Sequence, residues 1–342
     1  MDVVSLFTGA GGMDKGFEYA GFNIIVAVES NPIAAKTYRS NNPLVHLIEG
    51  DIREVVPDLK AYEGTPLVIG GPPCQGYSLA GAMDLSDPRS SLIFSFCDAI
   101  DVIKPEAFVM ENVDNLAKHD KFKIIREQLF ERFNCSGYDF KVHIVDSQRF
   151  GVAQKRKRMF IAGCKSKTPF SGHHLISYEK QPVTVRQVIS HLGRPGSSTN
   201  LYPANAKIVP VGKPQLRRTP FSGMLFNGQG RPINLDGLAG TLPASMGGNR
   251  TPIIDQRWLN DPSMPPWVQT YYDLIKQGRT PTDIMIPDFM RRLTATEAAH
   301  IQTFPSDYAF AGTVPQMFSQ IGNAVPCNMA KAVAEGVRDY ML

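Results

Sequence analysis

The chain has 342 residues, of which 43% are apolar and 20% charged, with a net charge of +4. That length allows a large buried core and sets two domains as the expectation. No apolar run reaches the eighteen or so residues of a membrane span, and the start MDVVSLF lacks the basic and apolar parts of a secretory signal, so a cytoplasmic protein is expected. The five cysteines (Cys74, Cys97, Cys135, Cys164 and Cys327) are scattered and form no C-x-x-C pair. This argues against a disulfide framework and a zinc site, and no metal is expected.

The small net charge hides an asymmetry. Residues 1–150 hold 14 Lys and Arg against 21 Asp and Glu, whereas residues 151–342 hold 22 against 11. Within the second half, 165–235 carries ten basic residues and one acid, Glu179. A solvated basic face would give this pattern, but so would a polyanion-binding module, because lysines and arginines displace counterions from phosphates.

Along the chain, short apolar runs at 2–7, 23–29, 45–50, 66–69, 107–112, 140–145 and 158–163 read as strands. Amphipathic stretches at 13–20, 32–40, 90–103 and 121–133 lie between them. Alternation of this kind predicts an α/β fold, a mostly parallel sheet with helices on both faces. Asn31 and Pro32 mark the second helix's start. From about residue 170 prolines and glycines crowd together, and strings such as RPGSSTN and VGKPQLRRTP read as loops. Order returns at 293–304, where Thr294 and Glu297 form a capping-box pattern, and in a last helix at about 326–341.

The chemistry gathers at strand ends. FTGAGGMDKGF (7–17) follows a strand and opens a helix, and its glycines at 9, 11 and 12 let a ligand approach the backbone. Asp14 stands where a dinucleotide fingerprint needs its third glycine, so a nucleoside cofactor suits this turn better than a pyrophosphate. Glu29 ends the second strand, where such folds place an acid on ribose hydroxyls, and Asp51 ends the third, where a carboxylate suits an adenine amino group. Either acid could equally be a local cap. GGPPCQGYS (70–78) then places Cys74 after two prolines that fix the backbone. A tight loop with a buried cysteine is the plain alternative to a nucleophile. MENV adds Glu111 and Asn112, and QKRKRMF sets Arg156 and Arg158 on one side of a strand start.

With these motifs in this order, the chain resembles the DNA (cytosine-5) methyltransferases along nearly its whole length. FTGAGG is similar to the family's S-adenosylmethionine motif, GGPPCQGYS to its catalytic cysteine loop, MENV to its glutamate motif and RFGVAQKRKRMF to its arginine motif. RRLTATEAAHIQTFP and QMFSQIGNAVP resemble the two carboxy-terminal motifs, and GLAGTLPAS (237–245) the Thr-Leu landmark of the variable target-recognition region. The resemblance implies a Rossmann-like S-adenosylmethionine-dependent sheet formed by 1–170 plus 315–342, and a smaller loop-rich DNA-binding domain at 171–314.

The resemblance also implies roles. Cys74 attacks carbon 6 of the cytosine, Glu111 serves ring nitrogen 3, and Arg158 holds the base carbonyl with Arg156 beside it. Phe7, Thr8, Gly9, Ala10, Gly11, Gly12, Glu29, Ser30, Asp51, Ile52, Pro73, Asn323 and Ala324 hold S-adenosylmethionine. Gln75, Ser78, Asn112, Gln154, Arg217, Arg218, Thr241 and Arg250 face duplex DNA. By composition alone Asn323 reads as a turn residue in a loop before the last helix. A stacked base must leave the duplex for this chemistry, so the stretch 76–88 is expected to close over a flipped cytosine. Size and family together imply a monomeric bacterial modification enzyme partnered by a restriction endonuclease. An NAD-dependent oxidoreductase would share the glycine turn and Glu29 but has no use for PPCQ with ENV. A related RNA cytosine-5 methyltransferase would share the catalytic edge and differ in the insert.

Overall fold

The computed structural model describes residues 1–73, 92–165, 168–169 and 171–341. It divides into two compact units: Met1–Gly151 with Arg156–Gln181 and Ala324–Leu342, and Val152–Lys155 with Pro182–Asn323.

The first unit is built on seven strands: β1 (Asp2–Leu6), β2 (Asn23–Glu29), β3 (His46–Glu49), β4 (Leu67–Gly70), β5 (Ala107–Val113), β6 (Asp139–Asp146) and β7 (Lys157–Cys164). All seven apolar runs of the sequence are strands. Their order is β3-β2-β1-β4-β5-β7-β6. The first five are parallel, while β7 is antiparallel to both β5 and β6. Between them run α1 (Gly12–Tyr19), α2 (Pro32–Asn41), α3 (Ile52–Val55), α4 (Leu92–Ile103), α5 (Asp114–Lys118) and α6 (Lys123–Cys135). A carboxy-terminal helix, Cys327–Tyr340, also belongs to this unit.

The central strands read as unbroken apolar runs because both faces of the sheet are covered. Successive side chains point to opposite faces. Val3, Leu67, Ile69 and Val109 meet Met13 and Phe17 of α1 and Met329, Val333 and Val337 of the carboxy-terminal helix. Val4, Leu6, Val68, Phe108 and Met110 meet Phe96 and Ile100 of α4 and Leu129 and Phe133 of α6. Helix α1 and the carboxy-terminal helix touch backbone to backbone: a Cβ on Gly16 would lie 2.4 Å from the Ala330 Cβ and 2.6 Å from the Cys327 carbonyl. As expected, Asn31 caps α2, its side chain accepting from the amides of Ile33 and Ala34.

The second unit holds short elements: α7 (Val185–Ile189), β8 (Pro210–Gln215), β9 (Met224–Phe226), β10 (Ile253–Asp255), α8 (Gln256–Asn260), α9 (Trp267–Lys276), β11 (Met290–Arg292), α10 (Ala295–Ile301) and α11 (Val314–Asn323). Among the described residues its sheets are two antiparallel pairs, β8 with β9 and β10 with β11. Leu225, Phe226, Ile253, Val268, Tyr271 and Met290 form its core. The Thr294–Glu297 capping box is present, and Glu297 also pairs with Arg291.

Two local expectations fail here. VGKPQ is not a loop but most of β8; a ribbon of two strands has only edges, where prolines are tolerated. QIGN is not a loop before the last helix but the end of α11, which buries Met317, Phe318 and Ile321.

Candidate active site

Because β1 to β5 run parallel, their carboxyl ends share one edge of the sheet, and the candidate residues of the first unit gather there. β1 ends in the turn Phe7–Gly11. Phe7, Gly9 and Gly11 all have positive φ, at 55°, 57° and 82°, so the chain reverses tightly before α1. A side chain at Gly9 would meet nothing within 4 Å, which leaves open space over the turn. From the end of β2, Glu29 joins this turn: one carboxylate oxygen accepts from the Gly9 amide at 2.7 Å and the other from Asn31 at 2.7 Å. Burial raises the Glu29 pKa, and the backbone amides of Asn31, Gly9 and Ser30 oppose the rise.

Asp51, after β3, is a helix cap. Its carboxylate accepts from the Arg53 amide at 2.9 Å and from the Arg53 guanidinium at 2.9 Å, which holds its pKa below the usual range. Ile52 beside it is buried and Ser30 is exposed.

β4 leads into the proline pair. A Cβ on Gly70 would fall 2.7 Å from the Leu6 carbonyl, and one on Gly71 would lie 3.1 Å from a Glu111 carboxylate oxygen. The two glycines therefore let this strand end run tight against β1 and against Glu111. Asn112 of β5 is buried and donates to the Pro72 carbonyl at 3.0 Å, tethering the backbone two residues before Cys74. Pro73 is half-buried. Cys74, Gln75, Ser78 and the rest of 76–88 lie outside the described residues. Of the remaining cysteines, Cys97 and Cys327 are core residues whose thiols burial pushes up, Cys97 to about 12. Cys164 is also fully buried, and Cys135 is exposed at the end of α6.

Glu111 and Arg158 face one another across β5 and β7. The register pairs Glu111 with Phe160 and Val113 with Arg158, which makes Glu111 and Arg158 diagonal neighbours on one face. Arg158 Nε lies 3.0 Å from Glu111 Oε1, with both side chains largely buried. Burial raises the Glu111 pKa, and the charges of Arg158 and then Arg156 oppose it. Arg156 is 1% exposed; burial, with Arg158 next, lowers its pKa to about 9, so it stays a cation at neutral pH. A carboxyl with a raised pKa beside fixed cations suits proton sharing with a weakly basic ring nitrogen.

In the second unit a chain of buried amides links four motifs. The Leu242 amide donates to Gln154 Oε1 at 2.9 Å, Gln154 Nε2 to Gln302 Oε1 at 2.8 Å, and Gln302 Nε2 to the Ile321 carbonyl at 2.6 Å. Gln154 and Gln302 are both fully buried. Thr241 Oγ1 donates to the Lys155 carbonyl at 2.7 Å. Arg217, Arg218, Arg250 and Asn323 are exposed, and Ala324 is half-buried. Sequence reading did not find the tethering use of Asn112 or the glutamine chain. Gln302 carried no signal, being one polar residue in HIQTF. Among the described residues no group of three or more His, Cys, Asp or Glu could hold a metal, and no helix is long and apolar enough to cross a membrane.

The seven-stranded sheet with its antiparallel β7 is a mixed α/β fold that solved methyltransferases share. The solved S. pombe Dnmt2 methyltransferase matches it with a TM-score of 0.70 at 16% identity, covering 99% of this chain and 98% of the other. The Entamoeba histolytica methyltransferase EhMeth gives 0.69 at 17% identity, with the same coverage. The chain belongs to the C-5 cytosine-specific DNA methylase family, whose model matches residues 1–338, and is thereby a cytosine-methylating enzyme of DNA. It is similar to the type II methyltransferase M.DdeI of Desulfomicrobium norvegicum, at 31% identity over 99% of this chain and 89% of the relative. It is also similar to M.HindV of Haemophilus influenzae, at 31% over 99% and 97%.

Proposed function

We propose that this enzyme uses S-adenosylmethionine to methylate a flipped-out cytosine of a specific duplex sequence through a covalent bond to Cys74. S-adenosylmethionine supplies an electrophilic methyl group on a sulfonium. The Phe7–Gly12 turn and Glu29 hold the nucleoside, with Ser30, Asp51, Ile52, Pro73 and Ala324 completing the site. Open space over Gly9 and a carboxylate joined to the turn support that fit.

Carbon 5 of cytosine is a poor nucleophile. Addition of the Cys74 thiolate to carbon 6 pushes an electron pair into the ring and makes carbon 5 enamine-like. Glu111 meets the charge that develops at ring nitrogen 3, and Arg158 holds both Glu111 and the base carbonyl. Arg156 favours the thiolate. After methylation, a base takes the carbon 5 proton, and the electron pair it leaves behind restores the 5,6 double bond and expels the Cys74 thiolate. Flipping the base costs a few kcal/mol, which phosphate contacts from exposed Arg217, Arg218 and Arg250 offset. Gln75 and Ser78, which follow Cys74 in the sequence, serve the DNA. Thr241, Gln154 and Asn112 serve it through the backbones they hold. Relatives named as type II methyltransferases support a modification role beside a restriction endonuclease.

The Glu111–Arg158 pair with its raised carboxyl pKa carries this reading. A duplex containing 5-fluorocytosine tests it, because fluorine at carbon 5 cannot leave as a proton does and the enzyme stays attached. We expect a stable protein–DNA adduct that mass spectrometry maps to Cys74; no adduct at that thiol overturns the covalent route. Bisulfite sequencing of a plasmid from an expressing host supplies the target sequence for the duplex. Parallel assays on duplex DNA and on transfer RNA separate the DNA reading from the RNA one.

A further inference from the structure

Asp14 replaces the glycine of a dinucleotide fingerprint, and the proposed chemistry leaves it without a role. It sits in the first turn of α1 at 1% exposure and receives three hydroxyl groups. Ser5 Oγ of β1 donates to Oδ1 at 2.7 Å; Thr8 Oγ1 of the turn and Tyr38 OH of α2 donate to Oδ2 at 2.6 and 2.7 Å. An apolar side chain would fill this space without the cost of desolvating a carboxyl group. What the carboxylate adds is one point that fastens a strand, a turn and a second helix together. Burial raises its pKa and the three hydroxyls oppose the rise.

The turn needs such a fastening. Thr8 lies between Phe7 at φ 55° and Gly9 at φ 57°. A non-glycine residue in the left-handed region is strained and persists only where its surroundings over-determine it. Thr8 is held by its amide on the Val28 carbonyl at 3.1 Å, by its own carbonyl on the Gly11 amide at 2.9 Å, and by its hydroxyl on Asp14. Gly9, next in the chain, carries the amide that meets Glu29.

We propose that Asp14 is a positioning residue for cofactor binding, fixing Thr8 so that the Phe7–Gly12 turn keeps the shape that receives the nucleoside. This rests on the reading that the turn holds S-adenosylmethionine. Asp14 then acts on affinity: without it the turn is free to relax, and binding must reorder it.

The test is equilibrium binding of S-adenosylmethionine to the full-length enzyme, with KM and kcat measured on duplex DNA, for wild type, Asp14→Asn and Tyr38→Phe. Asparagine cannot accept all three hydroxyls, and phenylalanine removes one donor while keeping the ring. We expect the dissociation constant to rise about tenfold in Asp14→Asn, equivalent to about 1.4 kcal/mol, and about threefold in Tyr38→Phe. The change should fall on KM for the cofactor more than on kcat. Unchanged cofactor affinity in both variants, with only a lower melting temperature, overturns the proposal and leaves Asp14 a packing residue. If Asp14→Asn does not fold, Tyr38→Phe decides. A wild-type enzyme that fails to bind S-adenosylmethionine overturns the cofactor reading instead, so the two failures are distinct.

Discussion

Arg158 Nε stands 3.0 Å from Glu111 Oε1, on the diagonal of the antiparallel step from β5 to β7. The pair sets a largely buried acid against a fixed cation, and burial wins: the Glu111 pKa is raised. Glu111→Gln keeps the shape and removes the titration. Methylation is expected to fall by about 10²-fold or more, the usual scale for a general acid, measured as single-turnover methyl transfer.

The same pair gives a stability prediction with a definite sign. An acid whose folded-state pKa is raised stabilises the fold fully below its unfolded value, 4.5, and loses that contribution as pH rises through the higher folded value. Wild type should therefore lose stability relative to Glu111→Gln as pH rises above 4.5. Melting temperatures of both proteins across a pH series starting at that value check this. A constant difference between them contradicts it.

Asn112 ties β5 to the Pro72 carbonyl. Asn112→Ala leaves that buried carbonyl without its donor, at a cost of about 1–3 kcal/mol. It also frees the backbone leading to Cys74. We expect kcat to fall about tenfold, the effect of a misplaced reacting group, while the dissociation constant for S-adenosylmethionine is unchanged.

The Gln154–Gln302 hydrogen bond joins residues 148 apart in the chain. Gln154→Ala should cost about 1–3 kcal/mol by removing its buried hydrogen bonds to the Leu242 amide and to Gln302. Because the two glutamines share one chain of bonds, Gln154→Ala and Gln302→Ala together should cost less than their sum. Denaturant unfolding of the two single variants and the double variant measures the coupling.

Gly16 permits the contact of α1 with the carboxy-terminal helix. Gly16→Ala forces a Cβ to within 2.4 Å of Ala330, and overpacking of this kind costs about 1–3 kcal/mol. The melting temperature should fall by up to about 4 °C, since about 1 kcal/mol corresponds to about 1–2 °C in a chain of 342 residues.

The seven strands, and the candidate residues at their ends, are legible in the amino-acid sequence. A doubly covered sheet demands unbroken apolar runs, and ligand-binding residues of such sheets fall just after them, where local composition exposes them. Asn31 and Thr294 were legible for the same reason, since a cap acts on amides two or three residues away. The tertiary structure alone decided which residues serve which neighbour. Gly71 is small because Glu111, forty residues on, lies against it, and Asn112 serves the Pro72 backbone. Gln154 and Gln302 are each ordinary until the fold makes them one chain of amides. Asp51 spends its charge on Arg53, and Asp14 becomes a fastening point only when Ser5, Thr8 and Tyr38 converge on it. Hydrogen bonds act over about 3 Å in space with no regard for separation along the chain, so their partners enter the reading only once the backbone has brought them together.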